Sequence, residues 1–297
     1  MQSRRKFITQ TVLTTGALMA SGSVFAGLQE DTAAKKLTIL HTNDVHSRME
    51  PFPMDGGKNQ GLGGIASRAA LIKKIRSEEE QVLLLDAGDI FQGTPFFNIY
   101  KGEPEMKAMA AMGYDAATMG NHDFDAGLEN FATQLQYGKF PLLMSNYDFT
   151  NTPMEFKYQP YKIFRKGKLK IGVTAVGIEL SGLVPDSLFG NTKYLDPIQK
   201  ANEMAAKLKN DDGCDMVICL SHLGYQYKDN KVSDEVLAKE TENIDLIIGG
   251  HTHTFFETPV TYKNKTGSDV LVNQVGWEVL CWGDLTLNFQ VIKRKAL

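Results

Sequence analysis

Five of the six histidines in this 297-residue chain fall in short polar clusters that end apolar runs. They are His46 in "TNDVHS", His122 in "GNHDFD", His222 in "SHLG", and His251 with His253 in "GGHTH". The same clusters, together with "DAGD", contribute Asp44, Asp86, Asp89, Asn121, Asp123 and Asp125. Imidazoles and carboxylates without thiolates suit intermediate divalent ions: Zn, Mn, Fe or Co. Calcium asks for more oxygen ligands, and a structural zinc usually takes cysteine. The candidates are too many for one tetrahedral ion. Two ions roughly 3.5–4 Å apart, sharing a carboxylate, account for them better and are a device for hydrolysing phosphate esters.

Residues so far apart in sequence meet only if the elements carrying them end at one place. The stretches 35–44, 81–89, 116–125, 214–224 and 244–253 read as apolar strands running into these clusters. Helical periodicity marks 64–79, 104–113 (Pro near its start, Gly at its end), "GLENFATQLQ" and 196–211, the last with Pro at its first turn. A strand is expected over 139–148, a hairpin over 158–178 turning at Lys166-Gly167, and closing strands over 269–276 and 283–292. The alternation predicts an α/β fold in one domain, a layered sheet packed between helices. In open α/β sheets ligands bind beyond the carboxyl ends of the strands.

The pieces "HTNDVH", "LLLDAGDIFQGTP", "MGNHDFDAG", "CLSHLG" and "IIGGHTH", in this order, resemble the calcineurin-like metallophosphoesterase superfamily. They are most similar to the metallophosphatase domain of the 5′-nucleotidase family, whose first helix "GLGGIASRAALIKKIR" also resembles. The likeness runs from about Leu37 to the last strand. It implies a four-layer αββα sandwich holding two divalent ions. It places Asp44, His46 and His253 on one ion and Asn121, His222 and His251 on the other, with Asp89 bridging. It implies that His122, partnered by Asp125, is catalytic, that Asn121 and His122 meet the substrate, and that hydroxide held by the ions attacks phosphorus. The implied substrate is a small phosphate monoester, a nucleotide. Many 5′-nucleotidases carry Gln where this chain has His253, and His is a competent ligand common in the wider superfamily. Full-length nucleotidases also have a C-terminal domain that grips the base. This sequence stops at Leu297, so that domain is expected to be absent and a separate chain would supply base recognition. Two alternatives stand beside this reading. One is a cysteine S-thiosulfonate (thiosulfate-ester) hydrolase of the same family, the other a non-catalytic metal-binding subunit.

Composition fits an ordinary globular protein. Hydrophobic residues make up 42% and charged residues 23%, with a net charge of −3. No basic stripe of the kind that holds a nucleic-acid backbone is present. "SRRKFI" followed by an uncharged apolar run ending "SVFA" reads as a twin-arginine signal peptide over 1–26, with the domain over 35–297. The expectation is export through the Tat pathway to the periplasm or beyond, with no membrane association after cleavage. Three cysteines, Cys214, Cys219 and Cys281, show no metal-binding spacing and leave at most one disulfide. Among the remaining candidates, Asp86 reads as a buried turn carboxylate or a neighbour of the ligands. His41 reads as a supporting neighbour of the ligands or as packing, on the strand face opposite Asp44. Phe91, Phe96 and Phe97 read as core or partner contacts rather than a substrate wall.

Overall fold

Side chains alternate across each strand, and here both faces of the central strands are apolar, so each sheet must be covered twice. The computed structural model describes residues 35–229, 231–277 and 283–289, with Lys35 and the last stretch described by backbone alone. These residues lie in one compact unit, Ala34–Leu297.

In chain order the elements are β1 (Lys35–Thr42), α1 (Ile65–Glu78), β2 (Val82–Asp86), α2 (Pro95–Tyr100), α3 (Glu103–Met112), β3 (Ala116–Ala117), α4 (Leu128–Gln134) and β4 (Tyr147–Asp148). There follow β5 (Tyr161–Lys166), β6 (Leu169–Gly177), α5 (Asp186–Phe189), β7 (Lys193–Tyr194), α6 (Pro197–Ala206), β8 (Met216–His222) and α7 (Asp234–Glu240). The chain continues through β9 (Leu246–Gly249), β10 (Val260–Lys263), β11 (Asp269–Asn273) and β12 (Gly283–Phe289). One sheet has the order β12-β1-β2-β3, the other β10-β11-β9-β8-β6-β5, and β4 pairs with β7. β1, β2 and β3 run parallel, as do β6, β8, β9 and β11.

Three apolar clusters show the layering. Leu37, Ile39, Leu83 and Leu85 of the first sheet meet Ile171, Val173, Ile218, Leu220 and Ile248 of the second. The alternate residues Leu40, Val82 and Leu84 pack under α1, α3 and α4 through Ile72, Met106, Met109 and Phe131. Val217, Cys219 and Ile247 pack under α6 and α7 through Ala201, Ala205 and Leu237. Helices, sheet, sheet, helices: the fold is the four-layer αββα sandwich. A fully buried Leu or Ile contributes about 1.5–3 kcal/mol, so the two strand faces are both worth filling. Cys214 and Cys219 are buried free thiols, Cys219 within the α6–α7 layer.

The structure departs from the sequence reading in places. No regular strand covers 139–148. Leu143 N–H donates to Ala117, Met144 to Gln159 and Ser145 to Ala175. Three successive partners on different segments cannot form one ladder, so only isolated bridges and the short β4 result. The helix expected over 196–211 is α-helical to Ala206 and then widens into a π turn over Lys207–Asp211. At its start Asp196 accepts from Gln199 N–H at 2.9 Å, a cap that satisfies one otherwise unpaired donor. The short elements α2, α7 and β10 have no counterpart in the sequence reading. Residues 1–26 and Cys281 lie outside the described residues, as does the end of the final strand. No helix among the described residues is long and apolar enough to cross a membrane.

Candidate dinuclear metal centre

Parallel strands present their carboxyl ends at one edge of each sheet. At that edge the chain leaves β1 into Asp44 and His46, β2 into Asp89, β3 into Asn121 and His122, β8 at His222, and β9 into His251 and His253. The loops after β1 and β2 remain paired as they diverge: Asp44 N–H donates to Gly88, His46 to Asp89 and Ser47 to Ile90. Both Asp44 carboxylate oxygens accept from His251 N–H at 3.0 Å, which ties the first sheet's edge to the second's.

The side chains converge in two groups, Asp44–His46–His253 and Asp89–His222–His251, with potential ligand atoms in each within 4.8 Å of one another. In the first, the Nε2 atoms of His46 and His253 stand 3.1 Å apart, and Asp44 Oδ1 lies 3.4 Å from His253 Nε2. In the second, Asn121 Oδ1 lies 2.7 Å from His251 Nδ1. Asp89 Oδ2 lies 3.1 Å from His222 Nε2 and 3.9 Å from His46 Nε2, so it faces both groups. Its Oδ1 accepts from His122 N–H at 2.8 Å, while Oδ2 is directed between the groups.

The donor set fits divalent ions. His222 Nε2 is buried among these groups, with only the Asp89 carboxylate near it and no well-aligned hydrogen bond, a costly state for a polar atom. His222 Nδ1 is satisfied by the Ala87 carbonyl at 2.7 Å, which fixes the ring with Nε2 toward the cluster. A metal-ligating imidazole is usually oriented in this way. Burial, reinforced by the His222 charge, pushes His251 down to about 4, and burial lowers His46 as well. Burial thus favours the neutral imidazole, with a lone pair to share, at both. Burial opposes charge on Asp89 and His222, but the attraction between them outweighs it, holding Asp89 below and His222 above its ordinary range.

Backbone geometry is unusual at the same positions. Asp44, His46, Asp89, His251 and His253 all have φ between 48° and 73°, a region that non-glycine residues seldom adopt. Two glycines give the groups room. A Cβ on Gly250 would stand 2.8 Å from His222 Nδ1 and 3.1 Å from Asp44 Oδ2, and one on Gly120 would overlap Asp89.

His122 opens a single 3₁₀ turn, His122–Phe124, beside the clusters, its ring centroid 5.3 Å from that of His46. Its Nδ1 is 2.8 Å from Asp125 Oδ2. The Asp125 carboxylate raises the His122 pKa against partial burial. Asp125 therefore binds His122 and does not cap the following helix.

Several neighbours have roles that sequence reasoning did not assign. Asp123 is buried and accepts from the N–H groups of Asp89, Ile90, Phe91 and Gly120, bracing the loop that carries Asp89. Burial pushes it up to about 8. Asn43 donates to Asp44 Oδ2 and to Gly276 O, and its Oδ1 accepts from Val275 N–H. Asp234, at the start of α7, accepts from Ser221 Oγ and from Gln274 Nε2 beneath the second group. The only signal for Asn43 and Asp123 lay in their position within the polar clusters, and Asp234 had none. Asp86 accepts from Thr42 Oγ1 and Gly88 N–H, and burial pushes it up to about 7. It buttresses the turn and lies outside both groups. His41 accepts from Asn273 Nδ2 at 2.9 Å in the core, as expected of a packing residue. Phe91 and Phe97 are buried against each other and Phe131, inside the core.

Residues 37–255 match the calcineurin-like phosphoesterase family. The chain is 34% identical over 250 residues to a snake venom 5′-nucleotidase of Gloydius brevicauda, which covers 81% of this chain and 41% of that protein. It thus spans about two-fifths of the length of that curated relative. Among solved structures it is similar to the NAD nucleotidase of Haemophilus influenzae, with a TM-score of 0.76 and 30% identity over 86% of this chain and 53% of that one. It is also similar to a calcineurin-like phosphoesterase of Bacillus subtilis, with a TM-score of 0.68 and 26% identity over 86% of this chain and 91% of that one.

Proposed function

From the premise that the chain belongs to the calcineurin-like phosphoesterase family, we propose that it is an exported, dinuclear-metal hydrolase of phosphate monoesters, with nucleotides as its substrates. One observation carries the reading: two groups of metal-ligating side chains lie side by side with Asp89 facing both, next to a His122–Asp125 pair. A single-metal or structural site has no use for that combination.

Asp44, His46 and His253 would hold one ion, Asn121, His222 and His251 the other, and Asp89 Oδ2 would face both. Divalent ions so placed supply an activated water and neutralise phosphate charge. The rest falls to the chain's own side chains. The Asp125 carboxylate holds the Nδ1 proton of His122 and so directs Nε2 at the substrate. From there His122 stabilises charge on the transferred phosphoryl group and gives a proton to the leaving oxygen. The Asp125 carboxylate, 2.8 Å from Nδ1, favours the protonated form of the ring for that task. Asn121, next in sequence and a neighbour of His251, sits where it can touch the phosphoryl oxygens as well as the second ion.

The nucleotide preference rests on the curated relatives called 5′-nucleotidases. Export rests on the twin-arginine stretch before residue 27. The test is a substrate panel with protein stripped by chelator and reloaded with Mn, Zn or Co. Nucleoside monophosphates should turn over faster than sugar phosphates or bis-p-nitrophenyl phosphate. Failure to hydrolyse any phosphate ester with all three metals would sink the reading. Turnover of a cysteine S-thiosulfonate alone would move the reaction from phosphorus to sulfur.

A further inference from the structure

His253 differs from the histidines around it in how its ring is held. His222 and His122 each have a ring nitrogen hydrogen-bonded to a group outside the two ligand sets, the Ala87 carbonyl and the Asp125 carboxylate, whereas His251 meets Asn121 of its own set. His46 is fixed by burial, its side chain only 7% exposed. The His253 side chain is 39% exposed. Among the described residues its ring nitrogens approach only His46 and Asp44, the two residues with which it would share an ion. Its outer support is an aromatic face. The Trp277 ring lies parallel to His253, at 5° and 5.6 Å between centroids.

Trp277 is itself anchored from both sides of that ligand group. Asn43, next to Asp44, accepts from Val275 N–H and donates to Gly276 O. Gly276 N–H donates to the carbonyl of Thr254, next to His253. Phe52 packs edge-on against the indole at 6.3 Å and is in turn covered by the Arg48 guanidinium at 4.3 Å. The segment that carries the indole is thus tied to the backbone on either side of the first ligand group.

We propose that Trp277 is a positioning residue of the first metal site. Its indole fixes the plane in which His253 presents Nε2 to an ion shared with Asp44 and His46, in place of the hydrogen bond that usually orients such a ligand. The proposal rests on the dinuclear reading above.

The test is a titration of chelator-stripped protein with Co(II), followed by its visible d–d absorption, which reports coordination independently of turnover. Wild type should take up two ions; if it takes up none, the dinuclear reading fails before Trp277 is at issue. With that uptake established, Trp277→Ala should weaken one of the two binding steps by roughly 3- to 10-fold, the worth of one aromatic stack. Trp277→Phe, which keeps a flat ring, should recover most of the loss. A second readout uses the fact that Trp277 and Trp282 are the chain's two tryptophans. In Trp282→Phe protein all indole emission comes from Trp277, and Co(II) should quench it as the first site fills. A Trp277→Ala protein that binds both ions as wild type does would overturn the proposal. So would equal weakening of both steps with a lower melting temperature in chelator, or indole emission indifferent to Co(II).

Discussion

His122 and Asp125 illustrate how little sequence is needed to set up a proton donor. Three residues apart on one 3₁₀ turn, they meet at 2.8 Å, and the turn is fixed by the His122 N–H bond to Asp89. Replacing His122 with Ala should lower kcat by about 10²- to 10⁴-fold, the usual range for a general acid, and leave the metal content at two ions. Asp125→Asn should lower kcat less, because the ring keeps its place and loses only the charge that favours its protonated form. Steady-state kinetics with metal analysis on the same samples checks both. At this scale the residue types that gather in the two groups were readable in advance, because chemistry limits the choice to imidazole, carboxylate and amide. Asn43 and Asp123 were not, because their partners are backbone groups at Val275, Gly276, Ile90 and Phe91, and backbone groups carry no sequence signal.

At the scale of elements, strand ends position the chemistry and buried carboxylates position the strand ends. Asp123→Ala would leave four backbone N–H groups without their acceptor. With about 1–3 kcal/mol for each buried donor left unsatisfied, the expected loss is several kcal/mol, and Asp123→Asn, which keeps one acceptor oxygen, should lose less. Denaturant unfolding in chelator would measure both. Asp234 gives a pH-dependent version of the same argument. Burial pushes its pKa up to about 7 from an ordinary 3.8, against hydrogen bonds from Ser221 and Gln274. Below 3.8 both folded and unfolded chains hold the proton. Between 3.8 and 7 only the folded chain does, so the favourable contribution of the neutral group is lost as pH rises, and above 7 the loss is complete. Asp234→Asn cannot ionise. Its stability relative to wild type should therefore rise across that window, by at most about 1.4 kcal/mol per pH unit, and then level off. A difference that stays flat from pH 4 to 8 would refute this. The parallel strands β1, β2, β8 and β9 were legible because their apolar runs are continuous and stop at the polar clusters. The 139–148 segment misled for the same reason: "FPLLM" is as apolar as a strand, but it is buried while crossing between sheets.

For the whole molecule, the ligand groups have a mechanical role. Asp44 and His46 extend from the first sheet and His253 from the second. Asp89 and Asn121 extend from the first, His222 and His251 from the second. Each ion would therefore link the two sheets at the edge where the interior between them opens. Free metal at a hundred times its dissociation constant adds about 2.7 kcal/mol per site, and about 2–4 °C of melting temperature per kcal/mol is usual for a chain of this size. Reloading stripped protein with Mn(II) should thus raise its melting temperature by roughly 10 °C or more, and His222→Ala should forfeit about half of that gain. Calorimetry with and without chelator decides it.

The left-handed backbone at Asp44, His46, Asp89, His251 and His253 has a further consequence for how such a sequence changes under selection. Folding alone would favour glycine at every one of these positions, since only glycine adopts that conformation freely. The chain carries a charged or ring-bearing residue at all five, so chemistry overrules folding there. A descendant released from the need for metal would be expected to drift at these five positions first. Glycine at His253 should raise the melting temperature of the stripped protein while abolishing the first site.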